Sequence, residues 1–219
     1  MYAEGLQVKQ SSSALLLVDL QPDFFPGGAL AVKNGDEILP GIEKLMKSRR
    51  FDIQIATQDW HPPDHISFAS QHEGKKPFGT AVYHGHEQIL WPDHCVRNTP
   101  GAQLHPALPW VEAGAIIRKG MPSDADSYSG FRNNWNAAGE RPRTGLAGYL
   151  RDRGISIVFL CGLARDVCVL WTALDAAESS LETVFIWDLT RAVNPESDPQ
   201  TRTTLQEHNV KIVESQQLS

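Results

Sequence analysis

The sequence predicts an α/β protein: a doubly wound, mostly parallel six-stranded sheet with helices on both faces and long loops that carry an active site. Three observations lead there. Six short apolar runs recur along the chain, and runs of this kind belong to strands buried on both faces. Helix-like segments separate several of them, so strand and helix alternate. Two long irregular stretches break the alternation, as functional loops do in compact domains.

The elements follow in order. ALLLVDL, Ala14–Leu20, is the first strand, followed by a helix over Asp36–Ser48 and a second strand over Phe51–Thr57. The third strand, Ala115–Gly120, precedes a helix over Thr144–Arg153. The fourth, Ile155–Gly162, leads into a helix over Asp166–Glu178. After the fifth, Glu182–Leu189, Asp198 and Pro199 read as an N-cap and the first helical position of the next helix. Val210–Val213 closes the set. The irregular stretches are Trp60–Trp110 and Met121–Pro142, rich in Pro, Gly, His, Asn and aromatic residues.

With 219 residues the chain suits one domain, 1–219, whose first twelve residues read as a flexible polar start. Twenty Lys and Arg stand against 26 Asp and Glu, for a net charge of -6, and the basic residues are scattered. That pattern offers no footprint for nucleic acid or an anionic membrane. The opening MYAEGLQVKQSSS lacks the order of a signal peptide, and no apolar run reaches the ~20 residues of a membrane span, so a cytoplasmic location is expected. Three cysteines argue against a disulfide framework and turn attention to reactive or metal-bound thiols. No G-x-G-x-x-G follows the first strand, which sets a dinucleotide-dependent oxidoreductase aside.

Ligands of open parallel sheets bind beyond the carboxyl ends of the strands. At those ends stand Asp19, Asp59 with His61 two positions on, Lys119, and Cys168 near the start of a helix. A carboxylate, a cation and a thiol therefore converge if the strands are neighbours. A helix N-terminus and a nearby ammonium would favour the thiolate of Cys168, and a partly buried Asp19 could take the thiol proton. The plainer reading is a structural Asp19–Lys119 ion pair with Cys168 as packing. Cys161, inside a strand, reads as core.

Asp59, His61 and His94 form a mixed oxygen and nitrogen set suited to one divalent transition metal, Zn, Fe or Mn, with open positions for water or substrate. His65, His72, His84, His86, His105 and His208 read as surface residues or supports.

Taken together, LLLVDLQPDFFPGGALAV, QDWHPPDHISFASQH, WPDHCV, GAQLHP, RKG, DSYSGF and GLARDVCV resemble the bacterial nicotinamidases among the isochorismatase-like cysteine hydrolases. The blocks run in order through most of the chain. The resemblance implies hydrolysis of nicotinamide to nicotinate and ammonia through a thioester, a step of NAD salvage, with pyrazinamide as a related substrate. It implies Asp19, Lys119 and Cys168 as catalytic residues and Asp59, His61 and His94 as metal ligands, zinc first among the metals. Ser67 would lie close to metal-bound water. A cis peptide would enter Ala164, and the N–H groups of Ala164 and Cys168 would form an oxyanion hole. Phe24, Trp91 and Tyr128 would wall the substrate ring. The family commonly has A-T-D where this chain has Ala164-Arg165-Asp166, so substrate preference is open at Arg165. Relatives acting on other small amides or ureas supply the alternative. The residues leave a homo-oligomer open.

Overall fold

The computed structural model describes residues 12–218. The flexible start expected for 1–12 lies outside that range except for Ser12. The strands are β1 Ser13–Val18, β2 Ile53–Asp59, β3 Thr80–Tyr83, β4 His86–Ile89, β5 Ala115–Lys119, β6 Ile157–Leu163, β7 Glu182–Arg191 and β8 Lys211–Val213. The helices are α1 Leu39–Lys47, α2 Leu146–Arg151, α3 Leu170–Glu178 and α4 Asp198–Glu207.

Six strands form one sheet in the order β5-β2-β1-β6-β7-β8, and every pairing in it is parallel. The six predicted strands are these six, and the sheet is wholly rather than mostly parallel. All six residues of β1 are buried. Leu15 and Leu17 pack with Ile42 and Met46 of α1 on one face. Ala14, Leu16 and Val18 pack with Leu146 and Leu150 of α2, Ala173 and Ala176 of α3 and Leu205 of α4 on the other. Burial on both faces is the reason the strand reads as an unbroken apolar run.

Two helices start later than predicted because their first turns are of another kind, and a third starts one residue earlier. A 3-10 turn, Gly35–Ile38, precedes α1, and a π turn, Arg165–Val169, precedes α3. Asp198 lies inside the first turn of α4, with Ser197 at the cap. The stretch read as irregular between Trp60 and Trp110 also holds a hairpin, β3 paired antiparallel with β4. Its short strands, HEQI among them, lack the apolar runs that mark a core strand. Among the described residues no helix is long and apolar enough to cross a membrane.

The chain leaves β1 toward β2 and β5 on one side and later returns to fill β6, β7 and β8 on the other. The reversal lies between β1 and β6, and a crevice opens there at the carboxyl ends of the strands.

Candidate active site

Asp19 follows β1 with φ +48, a left-handed turn that few residues other than Gly, Asn and Asp adopt. Its backbone N–H bonds to Thr57 Oγ1 at 3.1 Å, and the Thr57 hydroxyl donates back to Asp19 Oδ1 at 2.5 Å. Asp19 and Thr57 are both 0% exposed. Lys119 ends β5 and reaches across β2. Its Nζ lies 2.8 Å from Asp19 Oδ2 and 2.6 Å from Asp59 Oδ1. It also donates to the Ser127 carbonyl at 2.8 Å and approaches Cys168 Sγ at 3.5 Å.

The strands are neighbours, and the groups at their ends converge: oxygens of Asp19 and Asp59 and the sulfur of Cys168 all lie within 4.8 Å of one another. Asp19 Oδ2 touches the ammonium but has no well-directed hydrogen bond of its own.

Burial pushes Asp19 above the ordinary carboxylate value, opposed by Lys119 and reinforced by Asp59. Burial works against the Lys119 ammonium, but Asp19 and Asp59 together outweigh it and hold its pKa well above normal. The thiol departs from the sequence expectation. Burial drives Cys168 well above the ordinary thiol value, and the carboxylates of Asp19 and Asp59 add to that against Lys119 alone. The ammonium is present as anticipated, but its charge is already shared by two carboxylates, so burial prevails over it at the thiol.

The second cluster adjoins the first through Asp59. Gln21 holds the end of β2 by accepting from the Asp59 N–H at 2.7 Å and donating to its carbonyl at 2.8 Å. His61 Nδ1 bonds to the Gly120 carbonyl at 2.9 Å, and His94 Nδ1 to the Pro92 carbonyl at 2.8 Å. Each bond places the ring proton on Nδ1 and leaves Nε2 as a lone-pair donor. The Nε2 atoms lie 3.5 Å (His61) and 3.9 Å (His94) from Asp59 Oδ2. His61 Nε2 is buried without a hydrogen-bond partner. One carboxylate oxygen and two imidazole nitrogens with an orphaned buried donor fit a divalent metal ion. Burial works against Asp59, yet Lys119, then His61 and His94, keep its carboxyl well below the usual range. Burial lowers His94 to about 4, with His61 adding to the effect.

Around the two clusters stand supports, some singled out in the sequence and some not. His65, placed among surface residues or supports, is 0% exposed and stacks on His61 with ring centroids 4.0 Å apart. Burial, then His61, lowers it to about 3. Ser67 Oγ bonds to His65 Nδ1 at 2.7 Å, so it reaches the cluster through that ring. Asp126 has an oxygen within 4.8 Å of ring nitrogens of His61 and His65 and accepts from Gln88 at 2.9 Å. Thr57, Gln21 and Asp126 carried no signal beyond their positions in a strand, a turn and a loop.

Above both clusters lies a narrow pocket lined in part by Phe24, Trp91, Tyr128, Ala164 and Val193. Asp59, His94 and Cys168 also line it, so sulfur and metal cluster face one chamber. Phe24 packs edge-on against His94 at 5.5 Å, and Tyr128 edge-on against Trp91 at 6.3 Å. The Leu163–Ala164 peptide is cis, and the Val169 N–H bonds to the Ala164 carbonyl at 3.0 Å to close the π turn that carries Cys168. Arg165 is buried and does not line the pocket. Cys161 is core, at 0% exposure.

Comparison with known proteins follows the same lines. The isochorismatase domain model matches residues 13–217. The nicotinamidase of Acinetobacter baylyi is 48% identical over 190 residues, 86% of each chain. A nicotinamidase/pyrazinamidase structure from Acinetobacter baumanii superposes with a TM-score of 0.88 at 43% identity, covering 94% of this chain and 97% of that one. The pyrazinamidase of Pyrococcus horikoshii in complex with zinc gives 0.75 at 35% identity, covering 93% and 99%.

Proposed function

The chain belongs to the isochorismatase-domain family, and on that premise we propose that it is a metal-dependent cysteine amidohydrolase converting nicotinamide to nicotinate and ammonia. One observation carries the reading: Cys168, Asp19 and Lys119 meet beside the Asp59–His61–His94 cluster, and Cys168, Asp59 and His94 line one pocket walled by Phe24, Trp91 and Tyr128. We read residues 1–219 as one domain. Its three cysteines are unpaired and buried, which supports a reducing, cytoplasmic setting.

Asp59, His61 and His94 would hold the metal, which we take to be zinc. When bound it supplies a Lewis acid for the ring nitrogen of the substrate and so orients the amide. The rest is work for the protein's own groups. Phe24, Trp91 and Tyr128 enclose the ring. Asp19 Oδ2 accepts the thiol proton as Sγ bonds to the carboxamide carbon, and the carbonyl oxygen takes the negative charge. The N–H groups of Ala164 and Cys168 stabilise that oxyanion, an interaction worth about 3 kcal/mol per donor. As the C–N bond breaks, protonated Asp19 returns its proton to the departing nitrogen, and ammonia leaves. A water then gives one proton to Asp19 and attacks the thioester. As the C–S bond breaks, Asp19 returns that proton to Sγ, which restores the thiol and the carboxylate, and the product leaves as nicotinate with its acid proton lost to solvent. Lys119 keeps Asp19 anionic between proton transfers and limits repulsion among the three acidic groups.

The test is ammonia release from nicotinamide, pyrazinamide and simple ureas, with and without a chelator. Chelator-sensitive turnover of nicotinamide is the expected result. Activity confined to ureas, or unaffected by metal removal, would replace the reading with that of another small-amide hydrolase.

A further inference from the structure

Arg165, which follows the cis peptide and opens the turn that carries Cys168, makes its contacts behind the pocket rather than in it. In the pairing of β6 with β7, Leu160 faces Phe185 but Gly162 faces Thr190. Two steps along β6 thus pass five along β7, and the surplus backbone bulges out. A bulge leaves carbonyls without ladder partners and re-aims the strand beside it.

Arg165 fills that gap. Its Nη2 donates to the carbonyls of Trp187 at 3.2 Å and Thr190 at 2.8 Å. Nε donates to Thr190 Oγ1 at 2.9 Å, and Nη1 to Asp198 Oδ2 at 2.6 Å. The guanidinium carbon lies 4.0 Å from the centre of the Trp187 ring. One side chain, 9% exposed, thereby joins the nucleophile turn to the bulge of β7 and the first residue of α4. The next residue extends the clamp. Asp166 accepts from the N–H groups of Val193 at 2.9 Å and Asn194 at 2.8 Å, and Val193 is a wall of the pocket.

We infer that Arg165 is a positioning residue for the reaction: its bonds to β7 and Asp198 hold the turn between Ala164 and Cys168 where the two backbone N–H groups meet the oxyanion. The inference rests on the proposed amide hydrolysis. The planar fork is what the place demands, because carbonyl, hydroxyl and carboxylate acceptors diverge around a single group. Threonine is too short to reach Asp198.

The experiment compares the wild type with Arg165→Thr, Arg165→Lys and Asp198→Asn. It measures kcat and KM for nicotinamide per titrated thiol, the affinity of nicotinate, and the affinity of pyridine-3-carboxaldehyde, whose adduct with Cys168 places an oxygen in the same hole. For Arg165→Thr, kcat should fall about tenfold or more with KM changed less than about twofold, since small misplacements of reacting groups cost that much. Aldehyde affinity should fall in parallel while nicotinate affinity holds. Arg165→Lys should recover part of the loss, and Asp198→Asn should show a smaller loss in the same direction. These two variants decide the matter if Arg165→Thr does not fold. A lower melting temperature with unchanged kcat and aldehyde affinity would overturn the inference and leave Arg165 a purely structural residue. A wild type that releases no ammonia would instead overturn the proposed function. Arg165 would then be judged by the rate at which iodoacetamide alkylates Cys168, with equal rates in Arg165→Thr and wild type counting against it.

Discussion

The Lys119 ammonium lies 2.8 Å from Asp19 Oδ2, joining β5 to β1 across the intervening strand β2. Both side chains are 0% exposed, so neither charge has water as a substitute partner. Replacing Lys119 by Met leaves the carboxylates of Asp19 and Asp59 facing each other unneutralised. The expected cost is about 3–5 kcal/mol of stability, read by chemical denaturation, together with loss of turnover as Asp19 takes up a proton. A variant as stable and as active as wild type would show that the ammonium is dispensable.

Cys168→Ala removes the nucleophile from a pocket whose metal cluster it does not join. Ammonia release from nicotinamide should vanish while metal content, measured by mass spectrometry of the purified protein, stays at the wild-type level. Turnover retained in this variant would remove the covalent route.

The pH profile of kcat/KM follows from the directions of two shifts. Burial raises Asp19, which must be ionised to accept the proton, so activity rises with pH through a value above the ordinary 3.8 of an aspartate. Burial also raises the Cys168 thiol, so the shared proton is lost, and activity falls, only above the ordinary thiol value of 9.0. The two limbs belong to the pair rather than to either residue. A plateau that ends on its alkaline side well below that ordinary thiol value would mean a thiolate resting state.

Gly120 holds His61 from behind. Its φ is +62, and a Cβ there would stand 2.3 Å from His61 Cε1, so Gly120→Ala must displace the imidazole. Metal occupancy should fall, and the His61→Ala variant should lose both metal and substrate affinity. Full occupancy in both variants would place the metal elsewhere.

The inner strands were legible because runs such as ALLLV are apolar at every position, as cover on both faces requires, and the partly buried edge strands β5 and β8 still carry short apolar runs. Asp19, Asp59, Lys119 and Cys168 stood out because each ends or follows such a run. The hairpin β3–β4 went unread because its strands are short and largely exposed, leaving no apolar run to detect. His65 was read as a surface residue or support because a histidine among Pro, Asp and Ile shows nothing of the ring it stacks on.

The protonation state of Cys168 marks the boundary most clearly. Local sequence supplied a thiol near a helix start and a lysine elsewhere, and from those alone a thiolate was the natural expectation. The fold added burial and a second carboxylate, Asp59, on the same ammonium. Likewise Arg165 could be seen just ahead of Cys168, but its partners are Thr190 and Asp198, 25 and 33 residues away. The sequence by itself determined the strand set, the reactive groups at the strand ends and the donor types of a metal site, because those depend on residue identity and local periodicity. Only the tertiary structure decided which charges share a partner, which nitrogen of each imidazole is free and which way Arg165 points, because electrostatic energy and hydrogen-bond direction depend on distances between segments that are far apart along the chain.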